Sequence, residues 1–217
     1  LVGSEMCIRD RRVCYENDIP VTPRGAGTGL VGGCVPLCGG VVLCTTRMNK
    51  ILSYDMNNLV VHIQPGVLLC DLAADALTRG LMYPPDPGEK TATVGGNVST
   101  NAGGMRAVKY GVTRDYVLAM TVVLPDGRVM ELGKTVCKTS SGYSLLHLMI
   151  GSEGTLGVIT MEDVLEELVG DIWDEKDVVE KEVVARPDGG YELDGAMTLS
   201  DFLELLDWNE DALDDAD

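Results

Sequence analysis

Long apolar runs are missing from this chain. No stretch reaches the roughly 18 residues that a membrane-spanning helix needs, so no membrane span is expected. No basic segment followed by an apolar one opens the sequence, and no secretory signal is expected either. Basic residues are scarce: 17 Lys+Arg stand against 34 Asp+Glu, for a net charge of −17 and a pI of about 4.4. That balance argues against a nucleic-acid partner, which needs clustered cations. There are only two His, and none of the seven Cys falls in a Cys-x-x-Cys pair. Cys34 and Cys38 are four apart but have no His nearby. No metal site is therefore expected. The odd thiol count points to reduced, buried cysteines in a cytoplasmic protein rather than to a disulfide framework.

What is present divides unevenly. Residues 1–159 hold 14 Lys+Arg and 13 Asp+Glu, whereas residues 160–217 hold 3 and 21. Of the 26 glycines, 22 lie before residue 160, as do all seven cysteines. Such a break separates modules of different kind. The 217 residues and 45% hydrophobic content allow one or two domains with a real core.

Glycine is concentrated in three loops. Pro23-Arg24-Gly25-Ala26-Gly27-Thr28-Gly29-Leu30-Val31-Gly32-Gly33 carries five glycines in eleven residues. Pro84-Pro85-Asp86-Pro87-Gly88 precedes the second loop, Thr91-Ala92-Thr93-Val94-Gly95-Gly96-Asn97-Val98-Ser99-Thr100-Asn101-Ala102-Gly103-Gly104. The third is Gly151-Ser152-Glu153-Gly154-Thr155-Leu156-Gly157-Val158-Ile159-Thr160. Consecutive backbone N–H groups in such loops can converge on an anion, usually a phosphate. Three together suggest one long phosphate-bearing ligand lying across several turns. Gly27-x-Gly29-x-x-Gly32 matches a Rossmann fingerprint, but the context fails. Pro36, Gly39 and Gly40 forbid the helix that should follow, and the next strand ends in Thr45-Thr46-Arg47 rather than an acid.

The segments between the loops read as α+β. Residues 12–17 close a helix, with Asn17 near its end. Residues 41–45 form a continuous β-rich run, expected as a buried strand, and residues 59–63 another. Residues 67–79 space Leu68, Leu69, Leu72, Ala73, Ala76 and Leu77 along one helix face, and Gly80 stops it. Ser99 to Asn101 sit in a short helix opened by Gly95-Gly96. Residues 116–124 and 128–132 flank Pro125-Asp126-Gly127 as a hairpin. A short helix over 144–150 and a strand from Gly157 complete the module.

Those three loops, with Pro84-Pro85-Asp86-Pro87 and Tyr110-Gly111, resemble the flavin domain of the glycolate oxidase D-subunit and D-lactate dehydrogenase family. This is the vanillyl-alcohol-oxidase-type (PCMH) FAD fold. The resemblance spans about residues 13–160 and implies non-covalent FAD. It implies that Pro23, Arg24, Gly25, Ala26, Gly27, Thr28, Gly29 and Leu30 wrap the pyrophosphate. Pro85, Asp86, Val94, Gly95, Gly96, Asn97, Ser99, Thr100 and Asn101 would line the ribityl chain and flavin, with Gly103 and Gly104 close by. Gly154, Gly157, Val158 and Ile159 would cover the adenine side. Thr28 stands where some cousins carry a His bonded to the flavin.

Two flanks fall outside that resemblance. Residues 1–12 look like an artefactual leader and are expected to lie outside the fold. Residues 161–217 resemble the closing helix of a paired CBS module and the start of the transporter-associated domain of hemolysin-type magnesium/cobalt efflux proteins. Residues 161–175 are expected as an acidic amphipathic helix, with Val164, Leu165, Leu168 and Ile172 on one face. Both resemblances share the Gly157–Thr160 pattern, so the chain reads as a chimera. The expected fold is a PCMH-type domain, truncated at both ends, followed by a small acidic α+β tail.

The expected function is the FAD-binding part of a 2-hydroxy-acid oxidoreductase. A small 2-hydroxy acid would become its partner only with the family's cap domain supplied. His62 and His147 read as packing residues, and no catalytic residue is named. The isolated chain is expected to bind FAD weakly or not at all and to turn over nothing. A regulatory module of an ion-efflux membrane protein is the alternative, resting on the tail. Reduction of a cell-wall enolpyruvyl sugar is a third reading, which residues 97–104 fit less well.

Overall fold

Helix α1 (Ser4–Glu16) opens the chain, and the Asn17 side-chain amide donates back to the Val13 carbonyl at 2.8 Å to close it. This computed structural model describes residues 4–134, 140, 142–159, 164–167, 169–170, 183–185 and 191–193. Residues 7–12 do not stand outside the fold: Cys7 is 4% and Arg11 5% exposed, and the Arg11 guanidinium donates to the Leu124 carbonyl. Cys7 packs with Leu43, Met48 and Val158 in a small second core.

β1 (Val21–Arg24) pairs in parallel with β2 (Val41–Cys44). In β2 only Leu43 is buried, so the run expected over 41–45 to be a buried strand has two covered positions, Leu43 and Thr45. β-branched residues favour extended backbone whichever way they face. This strand belongs to a two-stranded ribbon, and its Val41 and Val42 are exposed.

The large sheet begins with β3 (Ile51–Asp55) and β4 (Val60–Ile63), an antiparallel pair. Val60, Val61 and Ile63 are buried, which agrees with the run read at 59–63. α2 (Leu69–Leu77) buries Leu69, Leu72 and Ala76 on the face that the apolar spacing marks. Gly80 then takes a left-handed φ of 70° beyond its end. β5 (Leu81–Met82) follows, then α3 (Val94–Thr100) and α4 (Ala107–Tyr110). β6 (Val117–Val123) and β7 (Val129–Gly133) form the expected hairpin, with Gly127 at φ 80°. α5 (Leu145–Met149) is capped by Ser144, whose hydroxyl accepts from the His147 N–H. β8 (Val158–Ile159) pairs with β6.

β9 (Val164–Glu167) and β10 (Val169–Gly170) correct the helix expected over residues 161–175. β9 lies between β4 and β6 in the order β3-β4-β9-β6-β7, and β10 pairs with β5. The edges of β4 and β6 carry backbone donors and acceptors that need partners, and a strand satisfies both at once. That tertiary demand outweighs local helix propensity.

The main core joins α2, α3, β4 and β6 through Leu72, Val98, Ile63 and Met120, all essentially inaccessible. Residues Leu1–Asp171 make one compact unit. A second, Ile172–Asp217, is described only by the antiparallel pair β11 (Val183–Ala185) and β12 (Tyr191–Leu193). The rest of the acidic tail, including the segment read as transporter-associated, lies outside the described residues.

Candidate functional site

The three glycine-bearing loops are tied to one another by direct contacts. The Glu153 N–H donates to the Ser99 carbonyl at 2.8 Å, and the Gly151 N–H to the Val98 carbonyl at 3.0 Å, joining the third loop to α3. A Cβ on Gly154, which has φ 76°, would lie 2.7 Å from Pro23 Cγ, so the third loop also abuts the first. A Cβ on Gly25 would collide with the Thr93 hydroxyl oxygen, which brings the first loop against the second. At both glycines the close approach of neighbouring chain leaves no room for a side chain.

Between the loops lies a cleft of about 460 Å³, within the range of small-molecule sites. Nineteen of the twenty-three residues named from sequence line it. From the first loop these are Pro23 through Leu30. From the second they are Gly95, Gly96, Asn97, Ser99, Thr100, Asn101 and Gly103. From the third they are Gly154, Gly157, Val158 and Ile159.

Pro85, Asp86, Val94 and Gly104 do not line the cleft. Val94 is fully buried in the main core. Gly104 bridges Pro87, and a Cβ there would run into the Asp86 carbonyl, so its glycine serves chain packing. The Asp86 carboxylate is engaged by Lys90 and by Arg106 at 3.5 Å. The Lys90 hydrogen bond, followed by the charges of Lys90 and Arg106, holds its pKa below the usual carboxylate value. Pro85 is buried beside it.

The cleft also takes residues that spacing did not reveal, among them Pro65, Thr93, Glu89 and Glu153. Pro65 comes from the end of β4, and only the folded chain brings it there. Glu153 has a left-handed φ of 54°, unusual for a residue with a side chain. Two hydrogen bonds from Thr91, one from its hydroxyl and one from its N–H at 2.9 Å, hold the Glu89 pKa down.

Polar groups facing the cleft are unequally satisfied. At the start of α3 every N–H is used: Val94 donates to Val67 O, Gly95 to Pro65 O, Gly96 to Thr93 Oγ1 and Asn97 to Thr93 O. Ser99 and Thr100 turn their hydroxyl protons back to the Gly95 and Gly96 carbonyls, leaving lone pairs to face outward. The first loop is the opposite case. Among the described residues, no backbone acceptor or side chain takes the N–H groups of Ala26, Gly27, Thr28, Gly29 or Leu30. Asn97 is 3% exposed, and among the described residues its side-chain Nδ2 has no partner. The Arg24 guanidinium folds over Gly27 and supplies positive charge at the same place. Such a site can receive an anion on the first loop.

Neither His lines the cleft. His147 sits on α5 with Nδ1 2.6 Å from Ser144 Oγ, and His62 lies within β4. Among the described residues no group of His, Cys, Asp and Glu could hold a metal ion. No described helix is long and apolar enough to cross a membrane.

Comparison with known proteins adds the following. Residues 7–133 match the model of a family described as FAD binding domain. A D-lactate dehydrogenase of Anaerostipes hadrus is 73% identical over 149 residues, covering 69% of this chain and 31% of that protein. Glycolate oxidase subunit GlcD of Bacillus subtilis (strain 168) is 48% identical over 149 residues, covering 68% and 32%. Among solved structures, an alkyldihydroxyacetonephosphate synthase superposes with a TM-score of 0.67 at 27% identity, covering 77% of this chain and 30% of that one. The chain thus spans about a third of the length of the curated relatives it matches.

Proposed function

Because the chain belongs to the FAD binding domain family, with FAD as its cofactor, we propose that it is the flavin-holding part of a 2-hydroxy-acid oxidoreductase of the glycolate or D-lactate type. The observation that carries the site is the meeting of three loops on one cleft, with five consecutive N–H groups of the first loop free of acceptors among the described residues. The residues fit FAD on chemical grounds. A pyrophosphate needs donors that can approach closely, and the first loop offers them without bulky side chains. Ribityl hydroxyls need acceptors, and Ser99 and Thr100 present theirs. Pro65, Ala92 and Val158 give an apolar boundary suited to a planar ring.

When bound, FAD supplies a two-electron acceptor for oxidation at C2 of the hydroxy acid. The protein's share in this segment is binding and orientation. Ala26 to Leu30 fix the anionic middle of the cofactor, and residues 95–101 set its ribityl and ring portion. We assign the groups that would hold the acid and take its hydroxyl proton to a part outside this segment, since neither His lines the cleft. We place the protein in the cytoplasm. We read the acidic tail as a separate piece only from Ile172 onward, because β9 and β10 pair with β4, β6 and β5 of the first unit. The chimera and its transporter-associated origin remain part of that reading.

The test is a graft. Residues 13–159 replace the matching segment of a full-length D-lactate dehydrogenase relative. The product is expected to hold flavin and to reduce a dye when given D-lactate or glycolate, whereas the 217-residue chain alone turns over neither. A graft that holds flavin but oxidises no 2-hydroxy acid would reject the assigned reaction.

A further inference from the structure

The second and third loops share a support that belongs to neither. The turn Thr113–Asp115 is closed on itself: the Val112 N–H donates to Asp115 Oδ2 at 2.8 Å, and the Asp115 N–H to the Val112 carbonyl at 3.0 Å. Thr113 is fully buried, and its hydroxyl, at 2.8 Å, and its N–H, at 3.1 Å, both donate to the Ala102 carbonyl. The Arg114 N–H donates to Asn101 Oδ1 at 2.9 Å. Three bonds thus anchor the turn to the second loop. The Arg114 guanidinium reaches the other way, its Nη2 donating at 3.4 Å to the Ile150 carbonyl at the root of the third loop. Ile150 is 2% exposed, and among the described residues this is the donor that its carbonyl has. A buried carbonyl left without a donor is costly. Neither Thr113 nor Arg114 lines the cleft.

We infer that Arg114 is a positioning residue: its guanidinium clamps the third loop onto α3 and so fixes the cleft for its cofactor. Just beyond Ile150 the third loop makes its own two bonds to α3, from the Gly151 N–H to the Val98 carbonyl and from the Glu153 N–H to the Ser99 carbonyl. Both carbonyls lie in the last turn of α3, which a helix leaves short of donors. Gly151 and Gly154 take left-handed φ of 80° and 76° in this stretch, and glycine gives the backbone wide conformational freedom. The bond to Ile150 restrains that freedom at the loop's root. Gly154, Gly157, Val158 and Ile159 of the same loop line the cleft, so a shift at the root changes the distance between its walls. The inference rests on the FAD reading for what the cleft holds, and on these bonds for how the cleft keeps its width.

The Asn101 bond uses the main chain of residue 114, so a side-chain substitution removes the clamp alone. Amide exchange on the full chain without FAD compares the parent with Arg114→Ala and Arg114→Lys. In Arg114→Ala the Gly151 and Glu153 amides are expected to exchange about tenfold faster or more, the loss of one hydrogen bond from a charged donor, while Met120 and Val122 in β6 keep the parent rate. Arg114→Lys still offers a cationic N–H donor on a long side chain and is expected to restore most of the protection. The same variants, made in the graft of residues 13–159 into a full-length D-lactate dehydrogenase relative, give the FAD dissociation constant. It is expected to rise about fivefold in Arg114→Ala and to return towards the parent's in Arg114→Lys. Unchanged exchange at Gly151 and Glu153 overturns the clamp. Equal acceleration at Met120 and Val122 also overturns it, since Arg114 would then support the whole fold rather than one loop. Faster exchange with an unchanged FAD dissociation constant overturns the positioning role and leaves the FAD site standing. A graft with Arg114 in place that holds no flavin overturns the FAD reading, and the cofactor half of the inference with it.

Discussion

Replacing Gly25 by Ala tests how tightly the first loop is seated on the second. The added methyl would overlap the Thr93 hydroxyl oxygen, while Thr93 Cβ would stand 3.6 Å away, an ordinary contact. Gly25 does not have a left-handed φ, so the expected cost comes from the overlap and not from backbone strain. Overpacking of this kind costs about 2 kcal/mol. The same hydroxyl caps α3 by accepting from the Gly96 N–H at 3.2 Å, and Thr93→Ala should cost about 1 kcal/mol for the lost cap. In the double variant the offending oxygen is absent. Gly25→Ala should then cost almost nothing further, leaving the total near 1 kcal/mol rather than the roughly 3 kcal/mol of independent effects. Urea denaturation of the parent, both single variants and the double variant gives the cycle. Costs that add to within about 0.5 kcal/mol would refute the contact between these loops.

Two further outcomes are expected. Leu165→Pro places a residue without an N–H in β9, between β4 and β6, and should cost about 3 kcal/mol or more; a melting temperature equal to the parent's would show that residues 164–167 do not complete the sheet. Asp86, with its pKa lowered from 3.8 by Lys90 and then Arg106, binds fewer protons folded than unfolded. Its stabilisation is full above the unfolded value and is lost as pH falls below about 4 through the folded one. Because these side chains are partly exposed to solvent, the contribution is at most about 0.5–1 kcal/mol. Asp86→Asn should lower stability by that amount at pH 7 and converge on the parent near pH 2, as followed by denaturation across pH.

The parts of the fold legible in sequence were those set by local rules. The spacing of Leu69, Leu72 and Ala76 located α2, and Gly127 with its flanking runs located the β6–β7 hairpin. The loops were legible because glycine and proline mark backbone that comes close to other chain or ligand, and that brought most of the cleft with it. What escaped was decided by tertiary partners. β9 has the apolar spacing of a helix and becomes a strand because β4 and β6 flank it. β2 has the composition of a buried strand and lies mostly exposed. Gly104 and Val94 sit inside a cofactor-like run but serve chain packing, and motif position cannot separate those duties. Pro65, outside the three loops, reaches the cleft through folding alone. Residues 7–12 carry no strong pattern, yet Cys7 and Arg11 are buried.

Amide hydrogen exchange on the graft of this segment into the full-length relative, with and without saturating FAD, tests the central claim most directly. Without FAD the N–H groups of Ala26 to Leu30 have no described protein acceptor and should exchange rapidly. On FAD addition those amides should slow together with residues 95–101 and 153–157, because all three loops border one cleft. Exchange in the first loop that FAD leaves unchanged, or protection confined to one of the three loops, would contradict the account.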